Sequence, residues 1–334
     1  MRKLCLLFCV LSVCFTVYIS MQSPLFANAS ATAEIAMELT TGTTLCERNA
    51  DAKLPMASTT KIMTAIIIIE DCNLDEELTV DTRAVGVEGS SIYLKQNEQI
   101  DVRDLLYGLM LRSGNDSAAA LAIHHSGSID KFVDVMNSRA KSIGAENTSF
   151  TNPSGLPDEN HFTTARDLCK IACYAMRNEI FKEVVGTKNY SGKFRSFVNK
   201  NKMLSICEGA NGVKTGYTIK AGRCLVSSCE REGMDVVSVV LNCPEMYERS
   251  CEIFDECFSK YSLVKIDKNR VFMSDRVLCK AEKSSNFVVK KGNLLDFKVI
   301  PIEKGKKQKS GGAVAILEIR DQNGLIFEEK LYSI

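Results

Sequence analysis

From Ile62 to Ile69 the chain is almost unbroken apolar (Ile62-Met63-Thr64-Ala65-Ile66-Ile67-Ile68-Ile69), with no Gly or Pro inside the run. Pro55 stands just ahead, where a missing N–H costs a helix nothing. The pattern predicts a buried helix that ends near Glu70-Asp71. A second apolar helix is predicted over Leu105–Leu111, then a turn containing Gly114, then an Ala-rich helix from about Asp116. Asn211–Thr218 and Gly222–Ser228 read as strands, and Arg231-Glu232-Gly233-Met234 reads as the turn of a hairpin that continues to Val240. A last helix is predicted over Cys251–Tyr261.

After about Ser262 the pattern changes. Long helical stretches give way to short alternating ones: Phe287-Val288-Val289, Leu295–Ile300 and Ala313–Ile319. Asp321-Gln322-Asn323-Gly324 is a hairpin signal leading into Leu325-Ile326-Phe327. This predicts a boundary near Ser262, with residues 263–334 forming a small all-β domain. The run Lys304, Lys306, Lys307 and Lys309 reads as a solvated loop.

Three short strings stand out against this framework. Ser58-Thr-Thr-Lys61 opens the first helix, Ser113-Gly-Asn115 occupies the turn between the next two, and Lys214-Thr215-Gly216 lies on a strand. Taken singly, each has an ordinary meaning: a helix-capping serine, a helix–turn–helix joint, a surface turn. Their order and their local settings together point to one acyl-transfer site. Ser58 and Lys61 are three apart on a helix and so lie within side-chain reach. A serine hydroxyl is a weak nucleophile until a base takes its proton. Lysine can serve only if burial or a neighbouring cation depresses its pKa; Lys214 is the candidate cation. Free N–H groups near the helix start can bind a developing oxyanion. An edge strand carrying Lys214 and Thr215 can pair with an extended peptide and meet its terminal carboxylate, and Gly216 permits close approach.

With these motifs the chain resembles the serine-type D-alanyl-D-alanine carboxypeptidases, the low-molecular-mass penicillin-binding proteins. The likeness extends over residues 33–334, through Met37–Leu45 as a first hairpin, Gly89-Ser90-Ser91-Ile92-Tyr93-Leu94, Phe150–Pro157 and His161–Leu168. It implies an α/β (α+β) catalytic domain of the serine β-lactamase/DD-peptidase kind over residues 30–262, with an antiparallel sheet flanked by helices. It also implies that Ser58 is acylated with loss of D-alanine, that Lys61 is its base, that Ser113 relays protons and that Asn115 orients the peptide. Lys214 and Thr215 would bind the carboxylate, with the N–H groups of Ser58 and of Tyr217, next to Gly216, as oxyanion hole. Arg249 falls near the family's carboxylate-binding arginine. Peptidoglycan pentapeptide stems are the implied substrate and β-lactams the covalent inhibitors. Asn97 departs from the family, which usually has Gly there.

Two alternatives share the motifs. A β-lactamase of the same superfamily would need an acid on the loop after the second motif, and Glu159 is the residue available there. A non-catalytic peptidoglycan-binding scaffold would not need Ser58, Lys61, Ser113, Asn115 and Lys214 intact.

The first residues fit export: Arg2-Lys3, an apolar stretch from Leu4 to Tyr18, and Ala27-Asn28-Ala29 as a cleavage site, so residues 1–29 read as a signal peptide. The apolar stretch is short for a bilayer span, so membrane contact is expected to be peripheral or through an uncleaved leader. An extracytoplasmic envelope or secreted location follows. The chain stops at Ile334 within a predicted strand, with no amphipathic anchor in view. The formal net charge is +1, and −1 without Arg2 and Lys3, which leaves no nucleic-acid footprint. Of 14 cysteines, 11 lie beyond the leader, and their spacing shows no disulfide framework. Cys169 and Cys173 read as core thiols on one helix. No zinc spacing joins the cysteines to the three histidines, His124, His125 and His161, so neither metal nor cofactor is expected.

Overall fold

The structure, a computed structural model, describes residues 31–302 and 312–334. The expected leader and the lysine run from Lys304 to Lys309 lie outside the described residues. Ala31–Ile334 forms one compact unit.

Its centre is an antiparallel five-stranded sheet built from β1 (Ala33–Glu38), β2 (Thr44–Arg48), β7 (Ala210–Thr218), β8 (Gly222–Arg231) and β9 (Met234–Leu241). The spatial order is β2-β1-β9-β8-β7, so β7, which carries Lys214-Thr215-Gly216, is an edge strand. The predicted hairpin joins β8 to β9 with Glu232 and Gly233 both at positive φ, the conformation a tight turn between right-twisted strands demands.

Both faces of the sheet are covered. Alternate residues of β1 and β9 (Ala33, Ile35, Met37; Val237, Val239, Leu241) face a large apolar core shared with the helices. These are α1 (Lys61–Asp71), α2 (Val102–Leu111), α3 (Asn115–Ser126), α4 (Ile129–Ile143), α5 (Ala165–Met176) and α6 (Glu179–Gly186). The residues between them (Ala36, Val236, Val240) face Ile253, Phe254 and Phe258 of α8 (Met246–Lys260). A short helix, α7 (Met203–Ile206), precedes β7. Two small two-stranded antiparallel sheets, β3 (Glu77–Thr79) with β4 (Gln99–Asp101) and β5 (Asn189–Ser191) with β6 (Ser196–Val198), complete this part. α8 begins five residues before the predicted start, because Pro244 halts β9 and frees Met246 to begin burying against the sheet.

The remaining chain is all strand. β10 (Tyr261–Ile266) pairs with β13 (Ser285–Lys290). β11 (Phe272–Ser274), β12 (Val277–Ala281), β14 (Asp296–Pro301), β15 (Ala313–Asp321) and β16 (Gly324–Ser333) form a five-stranded sheet in the order β11-β12-β16-β15-β14. It has a core of its own around Ala315, Leu317, Ile319 and Leu331. The predicted strands and the Asp321–Gly324 turn are all present; β10, β11 and β12 were not legible. Ser262 itself sits inside β10, and Tyr261, Leu263 and Val288 pack against the core beneath α8.

Candidate active site

Ser58 does not sit on a regular α-helix. It belongs to a 3₁₀ turn, Ala57–Thr60, that runs into α1 at Lys61. Ala57 is held at φ 48°, a conformation costly for a residue with a Cβ. The Thr59 and Thr60 hydroxyls fasten the turn by donating to Met56 O (2.6 Å) and Ala57 O (2.8 Å).

Lys61 is fully buried, and its Nζ lies 3.0 Å from Ser58 Oγ, 2.7 Å from Asn115 Oδ1 and 2.5 Å from Ser154 O. Burial pushes the Lys61 ammonium well below its ordinary pKa; Lys214 adds to the drop and Asp116 opposes it. Burial likewise brings Lys214 down to about 7, with Lys200 adding its charge. For Lys61 both causes named from the sequence, burial and the Lys214 cation, act in that direction; the depression of Lys214 was not foreseen.

The donor count of Lys61 is informative. Asn115 Oδ1 and Ser154 O are oxygens that can only accept. A neutral amine has two N–H bonds, and these two acceptors use both. The lone pair is then left for the Ser58 hydroxyl. Protonated, Lys61 donates to all three oxygens; deprotonated, it keeps the bonds to Asn115 and Ser154 and turns its lone pair to Ser58.

Asn115 opens α3, and its Nδ2 donates to Glu88 O at 2.5 Å, linking the Lys61 cluster to the Glu88–Leu94 segment. Ser113 occupies the turn before it at φ 64°, half-buried. Gly216 brings β7 against the nucleophile turn: a Cβ there would stand 3.1 Å from Ser58 N. Thr215 follows Lys214 half-buried, and Tyr217 is exposed. A cleft of about 510 Å³ is lined by Ser58, Asn115, Ser154, Gly155, Tyr217 and Lys220 among others.

Arg249 is not brought to this cleft, which corrects the expectation drawn for it. It lies on α8, and its Nε and Nη2 donate to Glu34 at 3.0 and 2.9 Å. Glu34 shares a face of β1 with Ala36, the face opposite the helices that carry Lys61 and Asn115. Burial raises the Glu34 pKa, but the guanidiniums of Arg249 and Arg48 outweigh it and hold the carboxyl below its ordinary range. A buried carboxylate needs such a partner, and that need keeps Arg249 where it is. Glu159, the acid a β-lactamase reading would use, is exposed and does not line the cleft.

Three residues that shape the site drew no attention from the motifs. Asp116, 1% exposed, accepts from Ser91 Oγ (2.5 Å) and from the N–H groups of Ile92 and Leu94 (both 3.1 Å), fixing one wall of the cleft. Asn152 Oδ1 accepts from the N–H groups of Ser154 (3.2 Å), Gly155 (2.7 Å) and Leu156 (3.0 Å), shaping the turn that presents Ser154 O to Lys61. In the sequence Asn152 stood only within Phe150–Pro157, one of the stretches that carry the resemblance. His161, buried, bonds through Nε2 to Thr60.

A family profile described as D-alanyl-D-alanine carboxypeptidase, peptidase family S11, matches residues 19–245. The D-alanyl-D-alanine carboxypeptidase DacF of Bacillus subtilis (strain 168) is 31% identical over 310 residues, covering 83% of this chain and 79% of that protein. A crystal structure of the D-alanyl-D-alanine carboxypeptidase DacD from Francisella tularensis superposes with TM-score 0.76 at 26% identity, over 93% of this chain and 94% of that one. Penicillin binding protein 5 from Haemophilus influenzae superposes with TM-score 0.77 at 25% identity, over 91% and 96%. With the Ser58–Lys61–Asn115 cluster at the head of α1 and α3, and Lys214 on the sheet edge beside it, the chain belongs to the D-alanyl-D-alanine carboxypeptidases, a family of serine peptidases.

Proposed function

We propose that this serine D-alanyl-D-alanine carboxypeptidase acts through an acyl-enzyme on Ser58, with Lys61 as the base. The observation that carries the assignment is the pair of acceptors, Asn115 Oδ1 and Ser154 O, that occupy both N–H bonds of a neutral Lys61 and leave its lone pair to Ser58 Oγ. Ser58 Oγ attacks the carbonyl carbon between the two D-alanines while its proton passes to Lys61 Nζ. The C–O bond forms as the carbonyl π pair moves onto oxygen, where the N–H groups of Ser58 and Tyr217 hold the negative charge. The tetrahedral intermediate collapses, the C–N bond breaks, and the leaving amine takes a proton from Lys61 by way of Ser113. Water then attacks the ester, giving its proton to the same base, and Ser58 is regenerated.

Lys214 and Thr215 receive the substrate's terminal carboxylate. Lys214 is buried, so the carboxylate meets a cation with little competing water. Asn115 holds a backbone amide of the peptide, and the edge of β7 pairs with it. The substrates are peptidoglycan pentapeptide stems and the β-lactam ring is their covalent mimic. We infer that the enzyme works outside the cytoplasmic membrane and that residues 1–29 act as its export signal. Among the described residues no helix is long and apolar enough to cross a membrane. Residues 30–262 carry the chemistry, and residues 263–334 hold that body at a distance from the membrane or dock a partner.

The test is a purified-protein assay of D-alanine release from a peptide ending in D-Ala-D-Ala, with mass-spectrometric mapping of the penicillin adduct. Release that disappears in Ser58→Ala, with the adduct on the Ser58 peptide, is the expected result. An adduct on Ser113, or turnover that survives Ser58→Ala, overturns the assignment.

A further inference from the structure

We propose that Cys72, Glu76 and His124 form a binding site for one transition-metal dication of the zinc class. The site lies at the far end of α1 from Lys61, roughly 16 Å of helix rise away.

Cys72 caps the C-terminus of α1. Glu76 follows four residues later, ahead of β3, and His124 sits in the last turn of α3. Their donor atoms all lie within 4.8 Å of one another, and His124 Nε2 is 2.8 Å from Glu76 Oε1. Zinc bonds of about 2.0–2.3 Å place tetrahedral donors roughly 3.3–3.8 Å apart. Side-chain rotation of about 1 Å therefore closes the set around an ion. All three residues are half-buried, so the rotation displaces no packed core.

The local field favours a cation. The C-terminal ends of α1 and α3 converge here, and each carries roughly half a negative charge. The negative charges of Glu76 and Asp71 both act on the Cys72 thiol. Asp71 is itself occupied by His125 (3.2 Å) and Arg139 (3.5 Å), so it contributes charge rather than a ligand. A thiolate, an imidazole and a carboxylate together select zinc-like ions over magnesium or calcium, which want oxygen alone. Binding exchanges the thiol proton for a metal–sulfur bond and releases that proton, with no change of oxidation state.

Such an ion would clasp α1 to α3. These helices carry Lys61 and Asn115 at their opposite ends, so the clasp would brace the pair that holds Ser58. The site was invisible in the sequence because 48 residues separate Glu76 from His124.

Cobalt(II) is the probe. The full chain, reduced and stripped with a chelator, is titrated with Co²⁺ while the near-ultraviolet thiolate-to-cobalt absorption is followed. One equivalent should develop the band, and Zn²⁺ should abolish it. Cys72→Ser should lose the band, whereas Cys229→Ser should keep it. Glu76→Gln and His124→Asn should each weaken Co²⁺ binding by about tenfold or more. Circular dichroism of every variant guards against unfolding. Absence of the band in the stripped protein at millimolar Co²⁺, or a band that survives Cys72→Ser, overturns the proposal. Neither result depends on Ser58 chemistry.

Discussion

His161 Nε2 lies 2.8 Å from Thr60 Oγ1, so one buried ring joins the nucleophile turn to the loop that supplies Ser154 O. Its Nδ1 accepts the Thr151 N–H at 3.1 Å, so Nε2 must carry the proton and donate to Thr60, which in turn donates to Ala57 O. The ring is therefore neutral in the folded protein.

Burial lowers the His161 pKa from 6.5 to about 4, with Lys61 adding to the drop and Asp158 opposing it. Between these values the unfolded chain binds a proton that the folded one refuses, so stability rises with pH across that window. The contribution is complete above 6.5 and is lost as pH falls toward 4. It amounts to about 3 kcal/mol. Urea unfolding at a series of pH values should show that loss in the wild type and a shallower one in His161→Asn. Equal slopes would show that the ring is not the group responsible.

Lys61→Arg should lower penicillin acylation by about 10³-fold or more while leaving the circular dichroism unchanged. Arginine stays protonated at any working pH and has no lone pair for Ser58. Stopped-flow or mass-spectrometric acylation rates measure the effect. A near wild-type rate would remove Lys61 from the role of base.

Gly155 and Gly42 both have positive φ, 87° and 70°, yet their surroundings differ. A Cβ on Gly155 would stand 1.9 Å from Ala57 O, whereas one on Gly42 meets nothing within 4 Å. Gly42→Ala should cost about 1 kcal/mol from backbone strain alone. Gly155→Ala should cost about 3 kcal/mol, because backbone must move, and should slow acylation by shifting the Ser58 turn. Denaturation midpoints and acylation rates of the two variants separate the cases.

Lys214, at about 7, loses its charge near neutrality. For the free enzyme, kcat/KM on a peptide with a terminal carboxylate should fall as pH rises through that value, since the carboxylate then meets a neutral amine. Lys200 contributes to the depression. In Lys200→Ala the Lys214 pKa should rise and the falling limb should move to higher pH. A limb that stays in place, or moves down, would assign it to another group.

The strands after α8 contribute no residue to the cleft. A chain ending near Ser262 should lose stability, because β10 loses its partner β13 and Tyr261 loses part of its packing. It should still release D-alanine within about tenfold of the full rate, about 1.4 kcal/mol of barrier. A folded truncation that binds penicillin and cannot turn over the peptide would assign the tail a part in shaping the site.

What could be read in advance was what short stretches decide for themselves. The apolar run 62–69 has to be a buried helix, and the turn at Glu232-Gly233 has to be tight. Ser58 and Lys61 are neighbours because three residues separate them. Even there a local detail escaped: the turn is 3₁₀ rather than α, because the bonds that shape it come from Thr59, Thr60 and the loop held by His161. Pattern also placed β13 to β16, where apolar residues alternate.

Tertiary structure decided everything that depends on which face of the sheet a residue meets. Arg249 stands in the right neighbourhood of the chain, yet the packing of α8 sends it to Glu34, across the sheet from Lys61. Asp116 and His161 serve the site through bonds to segments 10 to 101 residues away, and no spacing rule announces them; Asn152 acts locally, on N–H groups two to four residues ahead, but what its turn presents to Lys61 is set by the fold. The depression of Lys61 and Lys214 also belongs to the fold, because it follows from exclusion of water by the whole body. Motif residues were legible because their chemistry requires particular side chains at short separations. The residues that position them were not, because burial and partner choice are properties of the packed chain.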